Sequence, residues 1–387
     1  MPPSIDFNHL VRAGHDSLAR GDAGAAKLLF ERVIRDRPGD AGAWWGVALA
    51  CRELGEADAQ LAAADQVLAA NPGHLPALIM KGDHFAGSGD GRAASAFYRA
   101  AVDRAPPRES LPPTLREEVR RAETEARRFS DAYEQHLLAS LGGLEAGAIS
   151  PRGAAAVDLL LGRRQVFHQA PTAFYFPELP QRQFYERDEF AWLAALESRW
   201  REIRDELLPI AGDDLAFQPY VQSDASRPPR DYGDLLDSAD WSALYLIRGG
   251  TVVADVAARF PNTMALLADV PLARSEGRTP AVLFSRLKPG ARIPPHTGYT
   301  NARLICHLPL IVPEGCGLRV GNETRAWREG EALIFDDSIE HEAWNTSDRV
   351  RVVLLFDIWR PELTEGERKL VAALMAAVGS FGGGEWT

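Results

Sequence analysis

The chain has 387 residues, 46% of them apolar and 25% charged, which describes a globular protein able to bury a core in about two or three domains. Its net charge of −11 argues against nucleic acid as a partner, because phosphate binding needs concentrated Lys and Arg. Three scattered cysteines, Cys51, Cys306 and Cys316, are too few for a disulfide framework and lead us to expect a reducing compartment.

The N-terminal MPPSIDFNHLVRAGHD lacks the apolar core of a signal peptide, and no run approaches the ~20 apolar residues of a membrane span. A cytoplasmic protein without a membrane partner is the expectation. The first hundred residues then repeat. Pro38, Pro72 and Pro106 are spaced by 34, as are Gly21, Gly55 and Gly89, Ala25, Ala59 and Ala93, and Gly14, Ala48 and Gly82. The segment resembles the tetratricopeptide repeat, whose period is about 34 residues. In that reading the small residues (Gly14/Ala48/Gly82 and Ala25/Ala59/Ala93) let two helices approach, the glycine turns between them and the proline stops the second helix. Phe30, Trp44, Trp45, Leu78, Phe97 and Tyr98 fill the gaps. Three units suffice for a solenoid, whose concave face would bind a peptide or protein partner or serve as a scaffold.

Residues 108–165 read as a polar helical connector broken at Pro112-Pro113, Gly142-Gly143 and Ser150-Pro151. Leu115 to Leu141 predicts a long charged helix, its arginines interleaved with Glu117, Glu118, Glu123 and Glu125 as i,i+4 partners. Ala191 to Ile210 predicts one amphipathic helix with Trp192, Leu196, Trp200, Ile203 and Leu207 on its apolar face. After Pro219 short β-rich runs alternate with Gly/Pro turns, the pattern of a jelly-roll or cupin-like double-stranded β-helix. The expected organisation is an N-terminal α-solenoid (1–107), a connector (108–165), the β-helix domain (166–365), and a helix with a glycine-rich tail (366–387).

Two histidines, His296 in PPHTGYTN and His341 in FDDSIEHEAWN, stand near strand ends. Jelly-roll barrels hold Fe(II) with two histidines and one carboxylate that normally lies two residues after the first histidine. Gly298 occupies that place here, so the usual third ligand is missing. Period-two alternation puts Arg303, Ile305 and His307 on one strand face, expected to line the lumen. Asp336 and Asp337 read as a turn that supports ligand orientation, with Glu340 and Glu342 alongside. Whether Arg351 shares the lumen with His341 depends on the turn within Asn345 to Asp348 and stays open here.

HTGYTNARLICHLPL, GLRVGNETRAWREGEALIFDDSIEHEAWN and RVRVVLLFDIWRPELT, with FYFPELPQRQFYERDEFAWLAALES upstream, closely resemble the aspartyl/asparaginyl β-hydroxylase family of 2-oxoglutarate-dependent oxygenases. That family is known for a two-histidine iron centre with glycine in the carboxylate position, and for a tetratricopeptide-type region before the oxygenase domain. The resemblance implies Fe(II) on His296 and His341, and 2-oxoglutarate held by Ser285, His307 and Arg351. It also implies hydroxylation of an unactivated carbon, such as the β-carbon of an Asp/Asn-type residue in a peptide, protein or related small molecule. Arg303 and Asn301 are the candidates for contact with substrate. Animal members carry a second arginine where this chain has Ile305, which makes an aspartyl residue of an extracellular module a poor substrate. The alternatives are a tetratricopeptide adaptor with an inactive cupin-like domain, and a metal-dependent cupin of non-oxygenase type, which would have no need for Arg351.

Overall fold

The computed structural model describes residues 6–142, 150–223, 233–275 and 277–380. It divides into two compact units, Met1–Ala154 and Ala155–Thr387.

The first unit is all helix: α1 (Phe7–Ala19), α2 (Ala23–Asp36), α3 (Ala41–Leu54), α4 (Ala57–Ala70), α5 (Leu75–Gly87), α6 (Gly91–Arg104) and α7 (Pro113–Leu141). Asp6, Asp22, Asp40 and Asp90 cap four of these helices by accepting backbone N–H groups that have no partner within the helix. The expected glycines Gly21, Gly55 and Gly89 sit at φ +80°, +73° and +83°, a left-handed turn repeated at each hairpin. The small residues explain the packing. A Cβ at Gly14 or Gly46 would lie 2.6 or 2.5 Å from the buried Phe30 ring, and one at Gly82 would lie 2.6 Å from Tyr98. Ala59 packs against the core formed by Phe30, Val47 and Cys51, as expected, while Ala25, Ala59 and Ala93 are none of them fully buried. They are only half-buried, near the helix starts, and the fully buried small residues are Ala26 and Ala94, one position later. In α2 and α6 a buried alanine directly follows the repeated one, whereas in α4 the buried residues are Ala63, Ala64 and Val67. Helix α7 carries the expected ion pairs Arg120–Glu117, Arg127–Glu123 and Arg128–Glu125.

A short helix, α8 (Pro151–Leu160), leads into the β-rich unit. The predicted single helix over 191–210 is two, α9 (Leu193–Ser198) and α10 (Trp200–Leu207). Arg199 breaks it by donating its N–H to Leu196 three residues back, a tightened turn. Leu196, Trp200, Ile203 and Leu207 are nevertheless all buried, as the spacing predicts. Two further short helices are α11 (Ala254–Ala257) and α12 (Pro261–Leu267).

The described residues form twelve strands. The first six are β1 (Phe184–Tyr185), β2 (Gln218–Pro219), β3 (Trp241–Arg248), β4 (Thr251–Val252), β5 (Val282–Leu287) and β6 (Arg292–His296). The rest are β7 (Arg303–Ile311), β8 (Cys316–Val320), β9 (Glu323–Arg325), β10 (Leu333–Phe335), β11 (His341–Asn345) and β12 (Arg351–Trp359). They make an eight-stranded sheet ordered β1-β10-β7-β12-β5-β3-β2 with β4 beside β3, and a four-stranded sheet ordered β6-β11-β8-β9. All ladders are antiparallel, and the crossovers between the two sheets wind the chain into a double-stranded β-helix.

The large sheet is buried on both faces. One face (Leu304, Cys306, Leu308, Leu354, Phe356) packs under α9, α10 and α12. The other (Leu283, Leu287, Ile305, Val353, Leu355) meets Ile293, Leu318, Val320 and Ala343 of the small sheet and forms the lumen. A C-terminal helix, α13 (Glu365–Ser380), seals one edge by packing Val371 and Met375 on Leu179, Ala302 and Leu363. The expected glycine-rich tail (381–387) lies outside the described residues. No helix among the described residues is long and apolar enough to cross a membrane.

Candidate active site

His296 ends β6 and His341 begins β11, and the ladder puts them directly opposite one another. Opposed residues on one face of an antiparallel pair project side by side, and the two rings lie 4.1 Å apart between centroids. Strand β6 is an edge strand, which is why it tolerates Pro294 and Pro295. Each ring is oriented by its own backbone. His296 Nδ1 is 2.8 Å from the Pro294 carbonyl and His341 Nδ1 is 3.1 Å from that of Ile339. Both Nδ1 atoms therefore donate, leaving each Nε2 with its lone pair free. Burial lowers the pKa of both rings, with the neighbouring His296 adding to the effect at His341. Two neutral imidazoles side by side are ligands of the type a first-row divalent metal ion takes.

Gly298 is required sterically. A Cβ there would run into the Asp337 carboxylate, and the Gly298 N–H donates to the Asp337 carbonyl at 2.7 Å. Asp337 supplies no third ligand in this geometry: its carboxylate pairs with Arg303 at 3.1 Å, and the described residues contain no cluster of three His, Cys, Asp or Glu arranged for a metal. Burial pushes Asp337 up to about 7 against the pull of Arg303. Asp336 accepts from the Ser338 N–H at 3.0 Å and pairs with Arg360 at 2.8 Å, so it shapes the turn that delivers His341.

At the far end of the lumen lie Ser285, His307 and Arg351, all buried. Arg351 and His341 belong to strands of different sheets, so turn length does not govern their relative faces; both strands turn these residues inward. Arg351 donates from Nη1 to the Ser285 carbonyl at 3.4 Å, and Ser285 Oγ accepts from Trp241 Nε1 at 3.2 Å. Arg351 has no carboxylate partner among the described residues, and burial holds its pKa down to about 10. Burial, aided by the nearby Arg351 charge, holds His307 at about 3. Three buried nitrogens here lack any hydrogen-bond partner: Arg351 Nε, His307 Nδ1 and Trp327 Nε1. Buried polar groups are normally paired, so this end of the lumen is built for an acceptor-rich guest, and a carboxylate fits.

The contacts close into a circuit. From His296 they run to Trp241 (6.1 Å), Ser285 and Arg351, on to Trp327 (4.8 Å) and His307 (6.0 Å), and through Phe335 (5.0 Å) to His341 (5.4 Å) and back. Trp241 and Trp327 escaped the sequence reading. Nothing distinguishes a lumen tryptophan from a core one in a single chain.

The two expected substrate contacts both have partners within the chain. Asn301, in the turn after His296, is fully buried: it accepts from the Phe176 N–H at 2.7 Å and donates to Phe176 and Gln169 at 2.8 and 2.9 Å. Arg303 is clamped between Asp337 and Asp357 with Tyr299 over its face, while its Nε is buried without a hydrogen-bond partner. Alternation fixes which way a side chain points and is silent about what it meets there.

Residues 197–361 match the model of the aspartyl/asparaginyl beta-hydroxylase family. The chain is 38% identical over 182 residues to the aspartyl/asparaginyl beta-hydroxylase of Mus musculus, a match covering 46% of this chain and 23% of that one. It is 35% identical over 182 residues to the ornithine lipid ester-linked acyl 2-hydroxylase of Rhizobium tropici, covering 46% and 60%. The chain thus spans about a quarter of the mouse relative and under two thirds of the bacterial one. Among solved structures, the Sgt2 TPR domain of Aspergillus fumigatus aligns with 34% of this chain and 83% of its own, at 17% identity and TM-score 0.28. Residues 197–361 are thus similar to the aspartyl/asparaginyl beta-hydroxylase family over the stretch that holds both histidines, Gly298 and Arg351.

Proposed function

We propose that the β-rich unit is an Fe(II)- and 2-oxoglutarate-dependent dioxygenase that hydroxylates an unactivated carbon. The observation that carries this reading is the pairing of two neutral imidazoles 4.1 Å apart with a buried guanidinium that has no carboxylate of its own. A metal-only cupin has no use for the second feature, and an adaptor has no use for either. In this reading His296 and His341 hold the ion through Nε2, and Arg351 with Ser285 binds the distal carboxylate of 2-oxoglutarate. Bound there, Fe(II) and 2-oxoglutarate supply with dioxygen the oxidation that turns a substrate C–H into C–OH as the keto acid loses CO₂ to give succinate. The protein's part is positional. The two backbone carbonyls fix the imidazole tautomers, the Asp337–Arg303–Asp357 cluster holds the turn over Gly298, and the apolar lumen (Ile293, Ile305, Leu318, Val353) keeps water from the reacting atoms.

The substrate proposed first is the β-carbon of an Asp/Asn-type residue in a peptide or protein, or a related small molecule, with the helical repeats available to a polypeptide partner and the cytoplasm as the setting. The mouse relative supports it. The Rhizobium tropici relative favours a second reading, a lipid acyl chain. Incubating the protein with Fe(II), ascorbate, 2-oxoglutarate and either candidate peptides or a lipid extract, then reading products by mass spectrometry, tests both. Gain of one oxygen atom that requires 2-oxoglutarate supports the reading. No oxygen gain in any pool, with no succinate formed, rejects it.

A further inference from the structure

Trp327 follows β9 in the run GNETRAW and has no role in the function proposed above. Its ring is 5% exposed and lies in the lumen. The Arg351 guanidinium sits over its face, Cζ 4.8 Å from the ring centroid, and His307 lies 6.0 Å away between centroids. The indole Nε1–H has no acceptor. A buried indole N–H ordinarily finds one, because an unmade hydrogen bond in a water-excluded place is costly.

A single orphaned nitrogen could be a packing accident. Here the orphans are on three neighbouring side chains, Trp327, Arg351 and His307, linked through the Trp327 ring. Arg351 Nε and Trp327 Nε1 are obligate donors and His307 Nδ1 donates in one tautomer, which calls for one guest with several acceptor sites. A carboxylate has about four lone-pair sites. The stacking also has a consequence. A guanidinium lying on an indole face is held flat and cannot swing away to find water.

We propose that Trp327 is a further co-substrate-binding residue: its face holds the Arg351 guanidinium in plane, and its Nε1–H donates to the carboxylate that Arg351 pairs. This rests on the 2-oxoglutarate reading above. It makes recognition of that carboxylate depend on an indole donor as well as on charge.

The test uses the full chain loaded with Mn(II) under nitrogen, with 2-oxoglutarate as the titrant. Trp327→Phe keeps a stacking face and removes the donor, and calorimetry should show 2-oxoglutarate binding about 10- to 100-fold weaker. In parallel, Zn(II)-loaded, ¹⁵N-labelled wild-type protein displays the indole N–H signals of its nine tryptophans. The Trp327 signal, assigned through its proximity to the His307 ring, should move downfield on adding 2-oxoglutarate. This second readout needs no variant to fold. Wild-type protein that binds 2-oxoglutarate while Trp327→Phe binds within about twofold, or while the Trp327 signal stays put, overturns this inference and leaves the parent reading standing. Wild-type protein that binds no 2-oxoglutarate overturns both.

Discussion

Arg351 shows how a functional residue can be recognised by what it lacks. A buried guanidinium without a carboxylate is a cost to the fold, tolerated where a ligand will supply the anion. Replacing it with an apolar side chain of similar length should remove that cost. We expect Arg351→Met to be more stable than wild type by about 1–3 kcal/mol in urea titrations without ligand, and to show no stabilisation when 2-oxoglutarate is added. A variant that is destabilised and still responds to 2-oxoglutarate would contradict the assignment. At this scale the sequence was partly legible. The two histidines and Arg351 could be singled out, because resemblance and strand pattern converge on them, and the structure turns all three toward one lumen. The internal partners of Arg303 and Asn301 (Asp337, Asp357, Gln169 and Phe176) were not legible, because they come from segments distant in the chain.

Between elements, the β6–β11 register sets the pairing of His296 with His341, and the Gly298 turn allows it. The register depends on crossovers between two sheets that alternation along one strand does not reveal. Gly298 serves space rather than backbone freedom, since its φ is not in the left-handed region. Gly298→Ala should therefore cost about 1–3 kcal/mol by driving a methyl group into the Asp337 carboxylate. Removing the obstacle should return part of it. The Gly298→Ala/Asp337→Ala double variant is expected to depart from additivity by about 1 kcal/mol or more in chemical denaturation. Strict additivity would show that the two residues do not compete for that space.

Across the molecule, the two units are built on different principles and each has its own core. The helical unit was readable at long range because a period of 34 residues repeats the same contacts. The β-rich unit was readable as a class of fold, while the assignment of its strands to two sheets was not, because that pairing joins residues far apart in sequence. Phe30 anchors the first two helical hairpins by filling the approach at both Gly14 and Gly46. Phe30→Ala should destabilise the helical unit by about 3–5 kcal/mol. Calorimetry should show its transition moving to lower temperature while that of the β-rich unit, identified by its response to 2-oxoglutarate, stays in place.

The central claim is that His296 and His341 alone hold a ferrous ion beside 2-oxoglutarate. Anaerobic visible absorption spectroscopy tests it most directly. Adding Fe(II) and 2-oxoglutarate together to the full chain should give a weak charge-transfer band, absent with either alone and absent in both His296→Ala and His341→Ala. A band that survives loss of either histidine, or its absence in wild-type protein, would contradict the account.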